Sequence, residues 1–338
     1  MNLDEFIQQS LTEDIGSGDH STHACIPADR TGTAKLLIKA NGVLAGVQLA
    51  NRIFELMDST LEFNSTLDDG SEVEPGMIAF TVRGKVHTIL ACERVILNCM
   101  QRMSGIATKT QSMVQLCKGT KTKVIDTRKT TPNIRGLEKW AVVLGGGANH
   151  RIGLYDMILI KDNHIAVAGS IRAVLERAKA AAGHLVKVEI EVDSLEQLKE
   201  VLDVGLADVV LIDNFDVATM KKAVEMVASR LVIEASGGIT LETDQGINGD
   251  TLLRGARTFN APPGAVIRTP PPPASSARSR SGSPAPSRSR SCSHPTARAS
   301  TPPMAACSPS TRRRGACSCL PPPFRAASSR PSWRPRIS

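Results

Sequence analysis

The stretch "DTRKTTPNIRGLEKW", Asp126 to Trp140, gathers Arg128, Lys129, Arg135 and Lys139. Shortly after it, "NHRIGLYDMILIKDNH" adds His150, Arg151, Lys161 and His164. An Arg guanidinium is a planar fork that matches carboxylates bidentately, and a Lys ammonium is a point charge suited to phosphate. A set this dense suits a ligand carrying several carboxylates or phosphates. An exposed, solvated face accounts equally well for Arg128, Lys129, Arg135 and Lys139 when spacing alone is considered. Position adds something: Arg128 and Lys129 directly follow "KVIDT", which reads as a strand, and ligands of βα barrels bind at strand ends.

Further residues of the same kind follow. "GGGANHR" places three glycines, which permit close backbone approach, just before His150 and Arg151. Glu191 and Asp213 end successive strand-like runs, so both project to one rim, either to pair with cations or to hold a divalent metal bridging phosphates. "EASGGIT" ends another run with Ser236, Gly237 and Gly238, small residues whose backbone N–H groups suit a phosphate. No nucleophile–base pairing and no thiolate motif stands out. The chemistry expected is therefore neutralisation and orientation of anions, in a group transfer through a charge-separated transition state.

The elements that must position these residues come in two styles. Residues 1–110 mix a short amphipathic helix, "LDEFIQQSLTED", with two strand-like stretches, "TAKLLIKANGVLAG" and "GMIAFTVRGKVHTI". A longer helical pattern beginning at "LACERVIL" follows, interrupted at Ser104-Gly105. From Lys123 onward, β-branched runs alternate with helices: "KVIDT", "DMILIKD", "VKVEIEV", "ADVVLIDN" and "LVIEAS". Near-continuous apolar strands between helices mean a buried parallel sheet. Asp126, Lys161, Glu191, Asp213 and Ser236 all fall at carboxyl ends of these strands. The fold class expected is α/β: a small N-terminal α/β sandwich domain (1–110), then an incomplete, six-strand-type βα barrel (111–243).

Residues 244–338 break the pattern. Positions 261–338 hold 13 Arg, no acid, and 17 of the 20 Pro. Without them the remaining 28 basic and 33 acidic residues leave a mildly acidic core, so the net charge of +8 belongs to the tail and does not make the core a nucleic-acid binder. Such sequence cannot bury enough surface to offset its ordering entropy, and it reads as aberrant or disordered. It is either an Arg/Ser-rich interaction tail, giving a rival function in RNA or partner binding, or a wrong-frame translation beginning near Thr243. Cys25, Cys92, Cys99 and Cys117 lack metal spacing and read as small core residues. There is no uncharged apolar run of membrane-spanning length and no secretory signal, and the compartment expected is the cytoplasm.

"ERVILNCMQRMSGIAT", the block from Asp126 to His164, "VEIEVDSLEQ", "LIDNF" and "IEASGGIT" closely resemble the quinolinate phosphoribosyltransferase family, as does "EDIGSGDHST" near the start. The resemblance spans about residues 1–242. It implies phosphoribosyl transfer from PRPP to quinolinate, with loss of pyrophosphate and CO2, giving nicotinate mononucleotide for NAD synthesis. It further implies Mg2+ accompanying PRPP, with Glu191 and Asp213 at the metal and ribose hydroxyls, and no organic cofactor. Thr127, Arg128, Lys129, His150 and Arg151 would surround quinolinate, Lys161 would lie between the two substrates, and Ser236, Gly237 and Gly238 would take the phosphate. Lys129, Glu191 and Asp213 would carry catalysis, and Arg102 would reach the neighbouring site of a homodimer. A paralogue of the same fold with another anionic acceptor is the rival within this resemblance. Family members continue past "SGGIT" to a last barrel strand and a second phosphate loop, which this chain is expected to lack, with impaired catalysis as a consequence.

Overall fold

Helix α1 (Leu3–Ile15) begins with a reciprocal cap: the Asn2 side chain accepts from the Asp4 N–H, and Glu5 accepts from the Asn2 N–H at 2.9 Å. Its Ile7 and Leu11 are buried, as their spacing requires. The structure is a computed structural model that describes residues 2–238 and the backbone of two further strands at 251–254 and 265–268. All of these lie in one compact unit, Met1–Ala274.

After α2 (His20–Cys25) come β1 (Thr31–Ile38), β2 (Gly42–Val43), α3 (Val47–Met57), β3 (Glu62–Ser65), β4 (Glu72–Val73) and β5 (Ile78–Lys85). β5 pairs antiparallel with both β1 and β3. Phe54, Phe63 and Phe80 pack together over this sheet. β5 stops at Lys85, so "VHTI", which reads as strand, instead starts α4 (Val86–Leu116). That helix runs unbroken through Ser104-Gly105, where the sequence predicts an interruption. A glycine in a helix costs only about 1 kcal/mol, and burial of Ile96, Met100, Met103 and Met113 along α4 outweighs it. The small residues are used for close approach instead. Ser104 Oγ accepts from the Ala45 N–H at 2.9 Å, and Thr108 Oγ1 accepts from the Val43 N–H at 2.8 Å.

The second sheet begins with β6 (Lys123–Ile125), α5 (Arg135–Leu144), β7 (Ile158–Ile160), α6 (Asp162–Ala168) and α7 (Ile171–Ala181). It continues with β8 (Val188–Val192), α8 (Leu195–Val204), β9 (Val209–Asp213), α9 (Val217–Val227) and β10 (Val232–Ser236). Ser194 caps α8 by accepting from the Gln197 N–H, and Gly205 ends it at a φ of 68°. β8, β9 and β10 pair in parallel and are almost wholly buried, as their apolar runs predict. One core lies under the first sheet and the front of α4; a second, built on Val188, Ile190, Val210 and Ile212, fills the parallel layer.

The expected absence of a sixth strand is corrected. β11 (Thr251–Arg254) lies between β10 and β6, parallel to both, giving the order β6-β11-β10-β9-β8-β7. β12 (Ala265–Arg268) adds an antiparallel edge to β1. Among the described residues the unpaired seam is elsewhere, between β6 and β7. There the backbone of Ala148 bridges to β6, accepting from the Asp126 N–H at 3.1 Å and donating to Val124 O at 2.9 Å. β11 and β12 thus fall within the stretch expected to be aberrant or disordered, while the expected frameshift point at Thr243, the second phosphate loop and the rest of the Pro/Arg/Ser tail lie outside the described residues.

Candidate active site

β6 delivers Asp126 and then a loop, residues 126–134, that carries Thr127, Arg128 and Lys129. Thr127 Oγ1 accepts from the Lys129 N–H at 3.0 Å, which turns the chain sharply at Arg128. Helix α5 follows, and residues 145–157 then bring His150 and Arg151 back to the same rim. Gly145 sits so close to α4 that a Cβ there would lie 2.3 Å from Ala107 O. The triple glycine therefore serves packing of the loop against a helix, and the ligands come after it.

A cavity of about 330 Å³ opens at the carboxyl ends of the parallel strands. Thr127, Arg128, Lys129, His150, Arg151, Lys161, Glu191, Asp213 and Ser236 all line it, with Leu159 and Leu211 as apolar floor. The volume falls at the lower end of the range for small-molecule sites, about 300–1,000 Å³. Arg128 Nε is buried there with no hydrogen-bond partner among the described residues. Native proteins seldom leave a buried donor unmade, so this one is set for a ligand acceptor. Lys161, the residue capping α6, is ion-paired with Glu191 across the gap between β7 and β8. Asp213 accepts from Asn214 Nδ2 at 2.7 Å.

Not every residue named from the sequence lies at the cavity. Gly237 and Gly238 are beyond its lining. Gly237, at φ +85°, packs so tightly on Asn214 that a Cβ would meet its Oδ1 at 2.1 Å. Arg102 is held within its own chain, donating through Nε and Nη2 to Glu138 Oε1 at 2.9 and 2.8 Å. His164 faces its own helix turn, where Nδ1 accepts from the Lys161 N–H at 2.9 Å. Lys139, grouped by spacing with the site cations, is only 3% exposed and pairs with Asp126 beneath the rim. Burial pushes the Asp126 carboxyl up, against the pull of Lys139 and of the His150 N–H.

Two acids escaped the sequence reading. Glu189 and Glu234 lie inside β8 and β10, two residues before Glu191 and Ser236 and on the same strand faces. Both are buried, and His150 Nε2 lies 2.9 Å from Glu189 Oε2 and 3.4 Å from Glu234 Oε1. An ionised carboxylate only accepts, so against Glu189 or Glu234 in that form Nε2 is the ring nitrogen that donates. The available signal was an ionisable residue at an inward position of an otherwise apolar strand. These three side chains are also the group of His and acid atoms close enough together to hold an ion among the described residues.

Two family models match the chain: the N-terminal domain of quinolinate phosphoribosyl transferase over residues 19–104, and its C-terminal domain over residues 106–253. The chain belongs to the quinolinate phosphoribosyltransferase family. A probable nicotinate-nucleotide pyrophosphorylase (carboxylating) of Bacillus subtilis is 40% identical over 243 residues, covering 72% of this chain and 83% of the relative. The chloroplastic nicotinate-nucleotide pyrophosphorylase (carboxylating) of Arabidopsis thaliana is 41% identical over 261 residues, covering 72% and 74%. Among solved structures, that of NadC from Streptococcus pyogenes superposes with a TM-score of 0.74 at 36% identity, covering 79% of this chain and 95% of the other. The nicotinate-nucleotide pyrophosphorylase of Francisella tularensis gives 0.75 at 34% identity, covering 80% and 98%. Like these relatives, the chain has a small N-terminal α/β domain and a parallel-strand α/β domain. Among the described residues no helix is long and apolar enough to cross a membrane.

Proposed function

We propose that the chain transfers phosphoribose from PRPP to quinolinate, with release of pyrophosphate and CO2, forming nicotinate mononucleotide for NAD synthesis. The observation that carries this is one cavity lined together by Arg128, with its orphaned Nε, Lys129, His150 and Arg151 and by Glu191, Asp213 and Ser236. The basic wall suits the two carboxylates of quinolinate and the acidic wall suits the ribose hydroxyls. Arg and Lys clamp the acceptor with its ring nitrogen toward the ribose, converting an encounter into an oriented step. As pyrophosphate leaves, positive charge grows on the ribose ring, and Glu191 and Asp213 stabilise it. Bond formation makes the acceptor ring a pyridinium, whose cationic nitrogen stabilises the electron pair left on the adjacent ring carbon as CO2 departs; a proton from water then takes the place of the lost carboxylate. Lys161 lies between the two walls, and Lys129 steadies the carboxylates. Mg2+ fits this reading because Glu191 and Asp213 offer hard oxygen donors on neighbouring strands; it would neutralise the pyrophosphate of PRPP. The same reading includes a homodimer in which Arg102 turns to the neighbouring cavity, and the exposed Ile152, Leu154 and Tyr155 are consistent with a second copy nearby.

The test is release of CO2 from carboxyl-labelled quinolinate, with nicotinate mononucleotide followed by chromatography. Product that requires both PRPP and Mg2+ supports the reading. A chain that neither turns over nor binds quinolinate overturns it.

A further inference from the structure

Helix α5 presents Arg135, Glu138 and Lys139 at i, i+3 and i+4, on one face. A helix face of this composition is ordinarily solvated. Here Glu138 and Lys139 are 2% and 3% exposed, and among the described residues the side chains of the three bond to α4 or to one of the two basic loops.

The bonds divide between the loops. To the first loop, Arg135 Nε donates to Thr130 Oγ1 at 3.0 Å, and Glu138 Oε2 accepts from the Thr131 N–H at 3.0 Å. Thr130 and Thr131 directly follow Arg128 and Lys129. To the second loop, Arg135 Nη1 donates to Ile152 O at 2.9 Å, and Lys139 Nζ donates to His150 O at 3.0 Å. Lys139 also pairs with Asp126, whose Oδ1 accepts from the His150 N–H at 2.9 Å. The amide nitrogen of Asn149, in the orientation that satisfies its neighbours, donates to Asp126 Oδ2 at 2.6 Å and to Lys139 O at 3.0 Å. The peptide units on both sides of His150, and the residue after Arg151, are thus tied to one helix.

Burying this many charges is costly, and apolar residues of the same volume would often stabilise the fold as well or better. What they could not do is bond both loops in one register. We propose that Arg135, Glu138 and Lys139, with Asp126 as partner, are positioning residues that hold Arg128-Lys129 and His150-Arg151 at the separation the acceptor requires. This rests on quinolinate being the acceptor. Glu191 and Asp213 take the bonds described for their side chains outside α5, Glu191 from Lys161 and Asp213 from Asn214. The clamp therefore governs one substrate and not the other.

The experiment compares calorimetric binding of quinolinate and of Mg2+-PRPP to the full chain and to three variants: Arg135→Gln, Glu138→Gln, and the double change Asp126→Asn with Lys139→Met. The double change removes both charges of the buried pair together, so no ion is left uncompensated. Arg135 is only half-buried, so that variant keeps the test open if the double change does not fold. Quinolinate affinity should fall about tenfold or more in each folded variant, with PRPP affinity held within about twofold, since small displacements of clamping groups have large effects. A merely structural role would lower the competent fraction and leave both affinities unchanged. Folded variants that bind quinolinate within about twofold of the parent, or lose both substrates equally, overturn the inference. A parent chain that binds PRPP and not quinolinate overturns the functional reading, and the inference with it.

Discussion

Replacement of Arg128 by Met should stabilise the empty protein while disabling it. Arg128 Nε is buried without a partner among the described residues, and such a donor costs about 1–3 kcal/mol relative to an apolar atom in its place. Met fills much of the stem volume and removes the donor and its charge together. A gain of about 1 kcal/mol is expected, which for a folded part of this size raises the melting temperature by about 2 °C. The acceptor loses a charge-assisted hydrogen bond from a site built around it, worth about 3 kcal/mol, or roughly 150-fold in quinolinate Kd. Differential scanning calorimetry without ligand reads the first effect, and titration calorimetry reads the second. The opposite signs make the test strict, since a residue held for folding alone would lose stability and keep affinity. A lower melting temperature, or quinolinate affinity within about threefold of the parent, refutes the assignment of Arg128 as a waiting ligand.

Other expectations follow from individual contacts. Gly145→Ala should cost about 2–3 kcal/mol by driving a methyl into Ala107 O, whereas Gly136→Ala, in open space on α5, should gain about 0.5–1 kcal/mol; urea titrations of both read the contrast. Burial opposes ionisation of Asp208, but the Val188 N–H and Lys179 outweigh it and hold the carboxyl below its usual range. A depressed folded value means stability present above the unfolded pKa of about 3.9 and lost as pH falls through the folded one. Asp208→Asn should therefore flatten the acid limb of a stability–pH curve below about pH 4. Burial pushes the Cys92 thiol up to about 12 and the Cys99 thiol up to about 11, while Cys25 is exposed. Alkylation of the native chain near pH 8 should thus modify Cys25 well before Cys92 or Cys99, as read by peptide mapping.

Much of the architecture was legible in the chain because local periodicity and burial agree there. β8, β9 and β10 are apolar runs, and being buried on both faces they could hardly be anything but strands of a covered parallel sheet. Their terminal residues Glu191, Asp213 and Ser236 are polar because strand ends meet water and ligand. That mark of a rim position picked out Lys161, Glu191, Asp213 and Ser236 of the cavity lining, while Arg128, Lys129, His150 and Arg151 were named from clustered charge. The long helix α4 was misread at Ser104-Gly105 because helix propensity is a weak term beside the burial of Ile96, Met100 and Met113. β11 was missed for a related reason: four residues make a strand when the slot between β6 and β10 offers pairing on both edges, and nothing local announces that slot.

The site divides the same way. Residue type and order by themselves marked only the pool of side chains that could neutralise a polyanion: Arg128, Lys129, Arg135, Lys139, His150, Arg151, Lys161 and His164. Only the tertiary structure decided that Lys139 and Arg135, of identical charge and in the same stretch, face inward to hold the loops. It also turned Arg102 onto Glu138 and placed Glu189 and Glu234 behind His150. Charge is a property of the residue, but whether it meets solvent, substrate or an opposite charge depends on what long-range packing brings to its face of the helix or strand.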